Sequence, residues 1–169
     1  KKIGLTKIVL VGGNGAVDQL DFLEENNIPV IVSRPHRLPD NEDDDPKAAF
    51  KIASQLVNSG LLVSIDVSGS MERMNTRNLP FYAGSFAAYG LDKEEALQLI
   101  TLNSAKILGI NDKLGSLEVG KHATLFLSKG DALDMRTNII EHAFISGREL
   151  SLETHQTELW KRYSKKFQK

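Results

Sequence analysis

Three short runs of β-branched and aliphatic residues, spaced by helix-length segments, constrain the fold more than any other feature. The runs are Lys7–Val11, Val30–Ser33 and Leu61–Ile65. Apolar residues recur at helical spacing between the first two, and a second helix is predicted around Lys47–Asn58. Strands that alternate with helices pair in parallel. The sequence therefore predicts an α/β fold containing a parallel sheet or a segment of a barrel.

The second half of the chain has a different pattern, helical at first and then extended. From Asn78 to Gly109 the sequence predicts helices, and Asp92 with Glu95 forms a capping-box-like pair at the start of one of them. Glycine at 109 is a suitable left-handed end for the shorter helix before it. The remaining predicted elements are a helix at Ser104–Leu108, strands at Ala123–Ser128 and Ile139–Ser146, and a last helix at about Thr154–Phe167.

Composition narrows the class of protein. The 169 residues are 41% hydrophobic, enough for one sizeable core. Acidic and basic residues nearly cancel, 22 against 21, so we expect no nucleic-acid partner. No apolar run approaches the roughly 18 residues of a membrane span, and we expect no membrane partner. The chain has no cysteine, which excludes disulfides and thiolate chemistry but leaves the cellular compartment open.

A polar motif follows the third apolar run. Asp66, Ser68 and Ser70 stand in a D-x-S-x-S pattern, which resembles the metal-ion-dependent adhesion site of von Willebrand factor A-like domains. One carboxylate and two hydroxyls at this spacing can turn their oxygens toward a hard divalent cation. In a plainer interpretation the segment is a polar loop at a strand end, with the Asp66 carboxylate capping it.

A second resemblance covers about a third of the chain, from Asn78 to Leu133. This stretch is similar to the C-terminal region of amidohydrolase-superfamily enzymes, particularly the imidazolonepropionase-like branch. The residues that carry the resemblance are Gly90-Leu91, Glu94-Glu95-Ala96-Leu97, Thr101, Asn103, Ala105-Lys106, Leu108-Gly109, Gly115-Ser116-Leu117-Glu118 and Gly120-Lys121.

The resemblance implies an α/β architecture: the C-terminal part of a (β/α)8 barrel followed by helices and part of a small β-sandwich. The three apolar runs would be its sixth, seventh and eighth strands, the last three β-α units. We expect a partial barrel with its C-terminal helices over residues 1–112, sandwich strands over 113–152 and a C-terminal helix over 153–169.

Two residues are candidates for the site that the resemblance implies. Asp66 would end the eighth strand, and active sites of such barrels lie at the C-terminal ends of the strands. In amidohydrolases an aspartate there contacts a metal-bound water and passes its proton to the leaving amine, so Asp66 is the catalytic and metal-binding candidate. His36, in the loop after the seventh strand, is the substrate-binding candidate, although an exposed loop histidine without a role in binding is the plainer interpretation.

The chain also departs from the family pattern. It has no His-x-His pair, and the inferred sixth strand ends in Val11-Gly12-Gly13-Asn14 instead of a histidine. We therefore expect the C-terminal portion of a larger hydrolase of small-molecule C–N bonds, inactive alone and without a cofactor of its own. The intact parent would use a divalent metal, with zinc as the expected ion. The expected partner is the missing N-terminal barrel portion or a second copy; a non-catalytic scaffold is a further alternative.

Overall fold

The computed structural model describes residues 4–33, 35–39, 41–69 and 72–167, without the side chains of residues 72 and 73. Over these described residues, six strands and six α-helices follow one another, with 3-10 helices at Ala16–Gln19 and Glu72–Asn78. The strands are β1 (Leu10–Gly12), β2 (Val30–Ser33), β3 (Val63–Asp66), β4 (Leu125–Ser128), β5 (Ile140–Ile145) and β6 (Arg148–Glu149). The α-helices are α1 (Leu20–Glu25), α2 (Ala48–Asn58), α3 (Leu79–Ala88), α4 (Lys93–Leu99), α5 (Leu102–Leu108) and α6 (His155–Ser164).

The first three strands form a parallel sheet in the order β1-β2-β3, as the βαβ pattern predicts. Strand residues alternate between the two faces of a sheet. On one face Val30, Val32 and Val63 are at most 1% exposed and pack into the main core with Ile52 and Leu56 of α2. This face is therefore the covered side of the sheet.

The opposite face of the parallel sheet is only partly covered. Val11 on this face is 59% exposed, and Ile31 beside it is half-buried. A helix lies close to this face at β3, where Ser64 Oγ is 2.6 Å from Ser104 Oγ of α5. Within the described residues, the apolar side chains of β1 and β2 on this face lack a covering layer.

Strand bounds differ from the sequence prediction where the neighbouring strand sets the pairing. The prediction of Val30–Ser33 is confirmed, but the predicted start of the first strand at Lys7 is wrong. Leu10 is paired with Val30, the first residue of β2, so the residues before Leu10 extend past the end of their neighbour. The third strand likewise begins at Val63 instead of Leu61, since Val63 is the first residue opposite Val30.

The helical middle of the chain follows the predicted signals. Asp92 is the N-cap of α4, and its side chain accepts hydrogen bonds from the backbone amides of Glu94 and Glu95. Gly109 ends α5 with a φ of 70°, the left-handed conformation that glycine adopts without steric cost. The helix predicted at Ser104–Leu108 begins earlier, at Leu102.

Strands β4, β5 and β6 form a separate antiparallel sheet. A turn at Ser146 and Gly147, both at positive φ, joins β5 to β6. Ala123, Leu125 and Leu127 alternate along the sequence as the residues of one buried face would, but Leu127 is 51% exposed and Ala123 is also exposed. This sheet does not bury an apolar face of its own within the described residues.

The loop between β4 and β5 attaches the antiparallel sheet to the main core. Leu133 is 8% exposed and belongs to the core cluster, and its carbonyl lies directly over Gly84 of α3. An ion pair of 2.6 Å between Lys93 and Asp131 joins the same loop to α4. In the described part of the chain, no helix has the length and apolar character needed to cross a membrane.

Candidate functional site

The carboxylate of Asp66 lies at the C-terminal end of β3 and is held by two serines. Ser33, which faces Asp66 across the β2–β3 ladder, donates from its hydroxyl to Oδ2 at 3.1 Å. Ser68 donates its backbone amide to Oδ1 at 2.6 Å and its hydroxyl to Oδ2 at 2.7 Å. Because one bond comes from the neighbouring strand and two come from the loop that follows, the carboxylate is oriented from both sides.

These hydrogen bonds keep Asp66 ionised. Partial burial raises the pKa of the carboxyl, but the bonds from the Ser68 hydroxyl and amide and from the Ser33 hydroxyl outweigh it. The net pKa of Asp66 is below its usual value. At neutral pH the group is therefore an anion that can accept a proton or bind a cation.

Two open pockets meet at Asp66. One, of about 200 Å³, is also lined by His36, Arg37, Asn75 and Tyr82 and lies beyond the ends of the strands. The other, of about 310 Å³, lies along the uncovered face of the parallel sheet and extends to Val11, Ile31 and Ile107. The carboxylate is thus accessible both from the strand ends and from the open sheet face.

His36 lies in the turn after β2 and contacts α3. Its Nε2 is 2.7 Å from Ser85 Oγ, and its ring lies 4.7 Å from that of Tyr82 in an edge-on arrangement and 5.3 Å from that of Phe50. Partial burial lowers the pKa of His36 below its usual value, which favours the neutral imidazole. The two candidates from sequence, His36 and Asp66, line the same pocket.

The structure joins some members of the D-x-S-x-S motif and adds residues that sequence reasoning missed. Asp66 and Ser68 are hydrogen-bonded to each other, while Ser70 lies outside the described residues. Ser33 was missed, although its place at the end of the neighbouring parallel strand is a signal that could have found it. Ser85 was also missed, and no local signal marks it, since 49 residues separate it from His36.

The described residues do not by themselves offer a metal site. No group of three or more histidine, cysteine, aspartate or glutamate side chains among them is arranged to hold an ion. Asp66 would be a single ligand, and the hydrogen atoms of its present partners, Ser33 and Ser68, already point at its oxygens. A metal at this position would need further ligands from outside the described residues.

Comparison with known proteins gives one family over most of the chain. The model of the amidohydrolase family matches residues 15–150, a range that includes Asp66 and His36. Imidazolonepropionase of Syntrophobacter fumaroxidans is 37% identical over 79 residues, which are 46% of this chain and 19% of that protein.

Solved structures agree with this family. An amidohydrolase from Thermotoga maritima matches with a TM-score of 0.71 and 28% identity, over 85% of this chain and 36% of that one. An adenosine deaminase from Xanthomonas campestris with bound zinc matches with a TM-score of 0.54 and 17% identity, over 95% of this chain and 42% of that one. The chain spans well under half the length of these relatives.

Proposed function

The chain belongs to the amidohydrolase family, and on this premise we propose that it is the C-terminal portion of a metal-dependent hydrolase of cyclic or other non-peptide C–N bonds. The observation that carries the proposal is the position of Asp66. Its ionised carboxylate stands at the C-terminal end of a parallel strand, oriented by Ser33 and Ser68 and open to two pockets. Catalytic groups of (β/α)8 enzymes occupy such strand ends.

In this proposal Asp66 moves a proton during hydrolysis. As the water oxygen bonds to the substrate carbon, Asp66 takes a proton from that water and delivers it to the nitrogen as the C–N bond breaks. The low pKa of Asp66 supports the accepting role, because the carboxylate begins the step without a proton. His36, in the same pocket, would contact the substrate.

The divalent metal, with zinc as the expected ion, would be bound in the complete enzyme. The described residues hold no group of three or more such ligands, so ligands besides Asp66 would come from outside the described residues. The bound zinc named for the Xanthomonas campestris deaminase supports the choice of ion.

We propose that β1, β2 and β3 are the last three strands of a (β/α)8 barrel, with the domains at 1–112, 113–152 and 153–169. The parallel order, the helix-covered outer face and the likeness to the Thermotoga maritima structure support this. In a closed barrel the uncovered face would be the interior. The exposed apolar residues of the second sheet would pack against the remaining strands of a small sandwich.

The partner proposed for the open face is the N-terminal barrel portion or, in its absence, a second copy. Strands β1 and β3 are the edges of the sheet, and exposed edges and apolar faces favour association. Sedimentation velocity of the chain should show concentration-dependent association that Val11→Glu weakens. Val119→Glu, at a fully exposed apolar residue elsewhere, should leave it unchanged. A monomer at all concentrations would contradict this proposal.

An assay of hydrolysis tests the proposed enzymatic function directly. The complete open reading frame that contains this chain should hydrolyse members of a panel of cyclic and acyclic small-molecule amides, whereas this chain alone should not. Segments upstream of Lys1 should supply a His-x-His strand. A complete protein without that strand and without hydrolysis would contradict the enzyme proposal and favour a non-catalytic scaffold.

A further inference from the structure

Among the described residues, the imidazole of His36 has a hydrogen-bonding partner at one nitrogen. Nε2 lies 2.7 Å from Ser85 Oγ, and Phe50 and Tyr82 pack against the ring. Among the described residues Nδ1 makes no hydrogen bond. The contacts with α2 and α3 therefore hold the ring and leave its second nitrogen available to a ligand.

The hydrogen bonds of Ser85 indicate which nitrogen of His36 carries the hydrogen. A serine hydroxyl has one proton to donate and lone pairs that accept. The Ser85 hydroxyl donates to the Phe81 carbonyl at 3.0 Å within α3. A hydroxyl whose proton is used in this way can only accept from His36, which would make Nε2 the donor. In a neutral imidazole the other nitrogen, Nδ1, has no hydrogen and is an acceptor.

We propose that Ser85 is a positioning residue that fixes His36 as the Nε2–H tautomer and so makes Nδ1 a hydrogen-bond acceptor for a ligand in the pocket shared with Asp66. The ligand group that it recognises is then an N–H or O–H donor, such as an amide or amine nitrogen. Assignment of a substrate to this pocket rests on the proposed function, whereas the tautomer does not.

His142 provides a contrast within the same chain. Its Nδ1 lies 2.7 Å from Oε1 of Glu149. An ionised carboxylate can only accept, so Nδ1 of His142 must be the donor. The two histidines should therefore have opposite tautomers in their neutral forms, and His142 is an internal reference for His36.

Long-range proton–nitrogen correlation spectra of the labelled chain distinguish the two tautomers. At a pH well above the usual histidine pKa of about 6.5, His36 should be Nε2–H to a greater extent than in the urea-unfolded chain. Ser85→Ala should return His36 to the unfolded-chain mixture, and Ser85→Thr, which keeps a hydroxyl, should restore the excess. Ser59→Ala removes a hydroxyl bonded to the Gln55 carbonyl at 3.0 Å and should change nothing at His36.

Two results would overturn the proposal. One is His36 with its hydrogen on Nδ1 in the unmodified chain; the other is an Nε2–H excess that persists in Ser85→Ala. His142, in the separate antiparallel sheet, should keep its signals in every variant, and the urea-unfolding midpoint of each variant should show that it remains folded. Since the spectra require no turnover, the tautomer can fail while Asp66 still supports hydrolysis. Equally, a complete protein without hydrolysis would leave the tautomer result standing.

Discussion

Gly84 lies inside α3, where replacing glycine by alanine ordinarily stabilises a helix by about 1 kcal/mol. In this protein a Cβ at position 84 would lie 2.2 Å from the carbonyl oxygen of Leu133. Because non-bonded heavy atoms rest about 3.5 Å apart, the loop that carries Leu133 would have to move by more than about 1 Å. We therefore predict that Gly84→Ala destabilises the fold, opposite in sign to the helix propensity.

The size of the effect follows from what the loop buries. Overpacking of this kind costs about 1–3 kcal/mol, and full withdrawal of the Leu133 side chain, 8% exposed, would approach the 2–5 kcal/mol typical of Leu→Ala. For full withdrawal of Leu133, subtracting the gain of about 1 kcal/mol in helix propensity leaves a net loss of roughly 1–4 kcal/mol in the free energy of unfolding.

Urea unfolding followed by circular dichroism measures this loss as a lower midpoint. Gly15→Ala is the matched control, since a Cβ there meets nothing within 4 Å and the φ of −96° suits alanine. It should change stability by no more than about 0.5 kcal/mol. In a Leu133→Ala background the cost of Gly84→Ala should shrink, because less apolar surface depends on the loop. An unchanged or higher midpoint for Gly84→Ala would refute this account of how the loop docks.

The remaining predictions concern two carboxylates. Ser33→Ala should raise the pKa of Asp66, read from its carboxyl carbon shift, because it removes a hydrogen bond to the charged form. The pKa of Asp66 is depressed in the folded state, so its stabilisation of the fold is present above the unfolded-state pKa and is lost as the pH falls through the folded-state pKa. Ser33→Ala should therefore lose less stability on acidification than the unmodified chain. An unchanged pKa of Asp66 in this variant would count against the hydrogen bond from Ser33. Asp134, whose pKa Arg136 lowers to about 2, should stay ionised until about that pH, and Arg136→Ala should return it toward 3.8. If the pKa of Asp134 were the same in Arg136→Ala as in the unmodified chain, the ion pair between the two side chains would be contradicted.

How much of the fold the sequence could predict depends on whether a signal is local. Helix α2 was predicted to within one residue, and the cap at Asp92 was predicted from the residues around it. The start of β1 was not, because a strand is paired only where its neighbour extends, and that register is a property of two segments. The exposure of Leu127 has a similar origin, since alternation marks a face without saying what covers it.

The residues of the candidate site also divide into those with a local sequence signal and those without one. Asp66 was identified from its position after an apolar run and from the family resemblance, and Ser68 from its spacing. Ser33 requires the parallel register of β2 and β3. The contact between Ser85 and His36 depends on how α3 packs against the loop after β2, which no local pattern specifies.

The most direct test of the central claim is the turnover number of the complete protein with Asp66→Asn, on whichever small-molecule amide it hydrolyses. Removing a group that transfers the proton should lower kcat by about 10²- to 10⁴-fold. Asp112→Asn, the same substitution at an exposed turn, should leave kcat unchanged. A kcat for Asp66→Asn equal to that of the unmodified enzyme would contradict the catalytic role of Asp66.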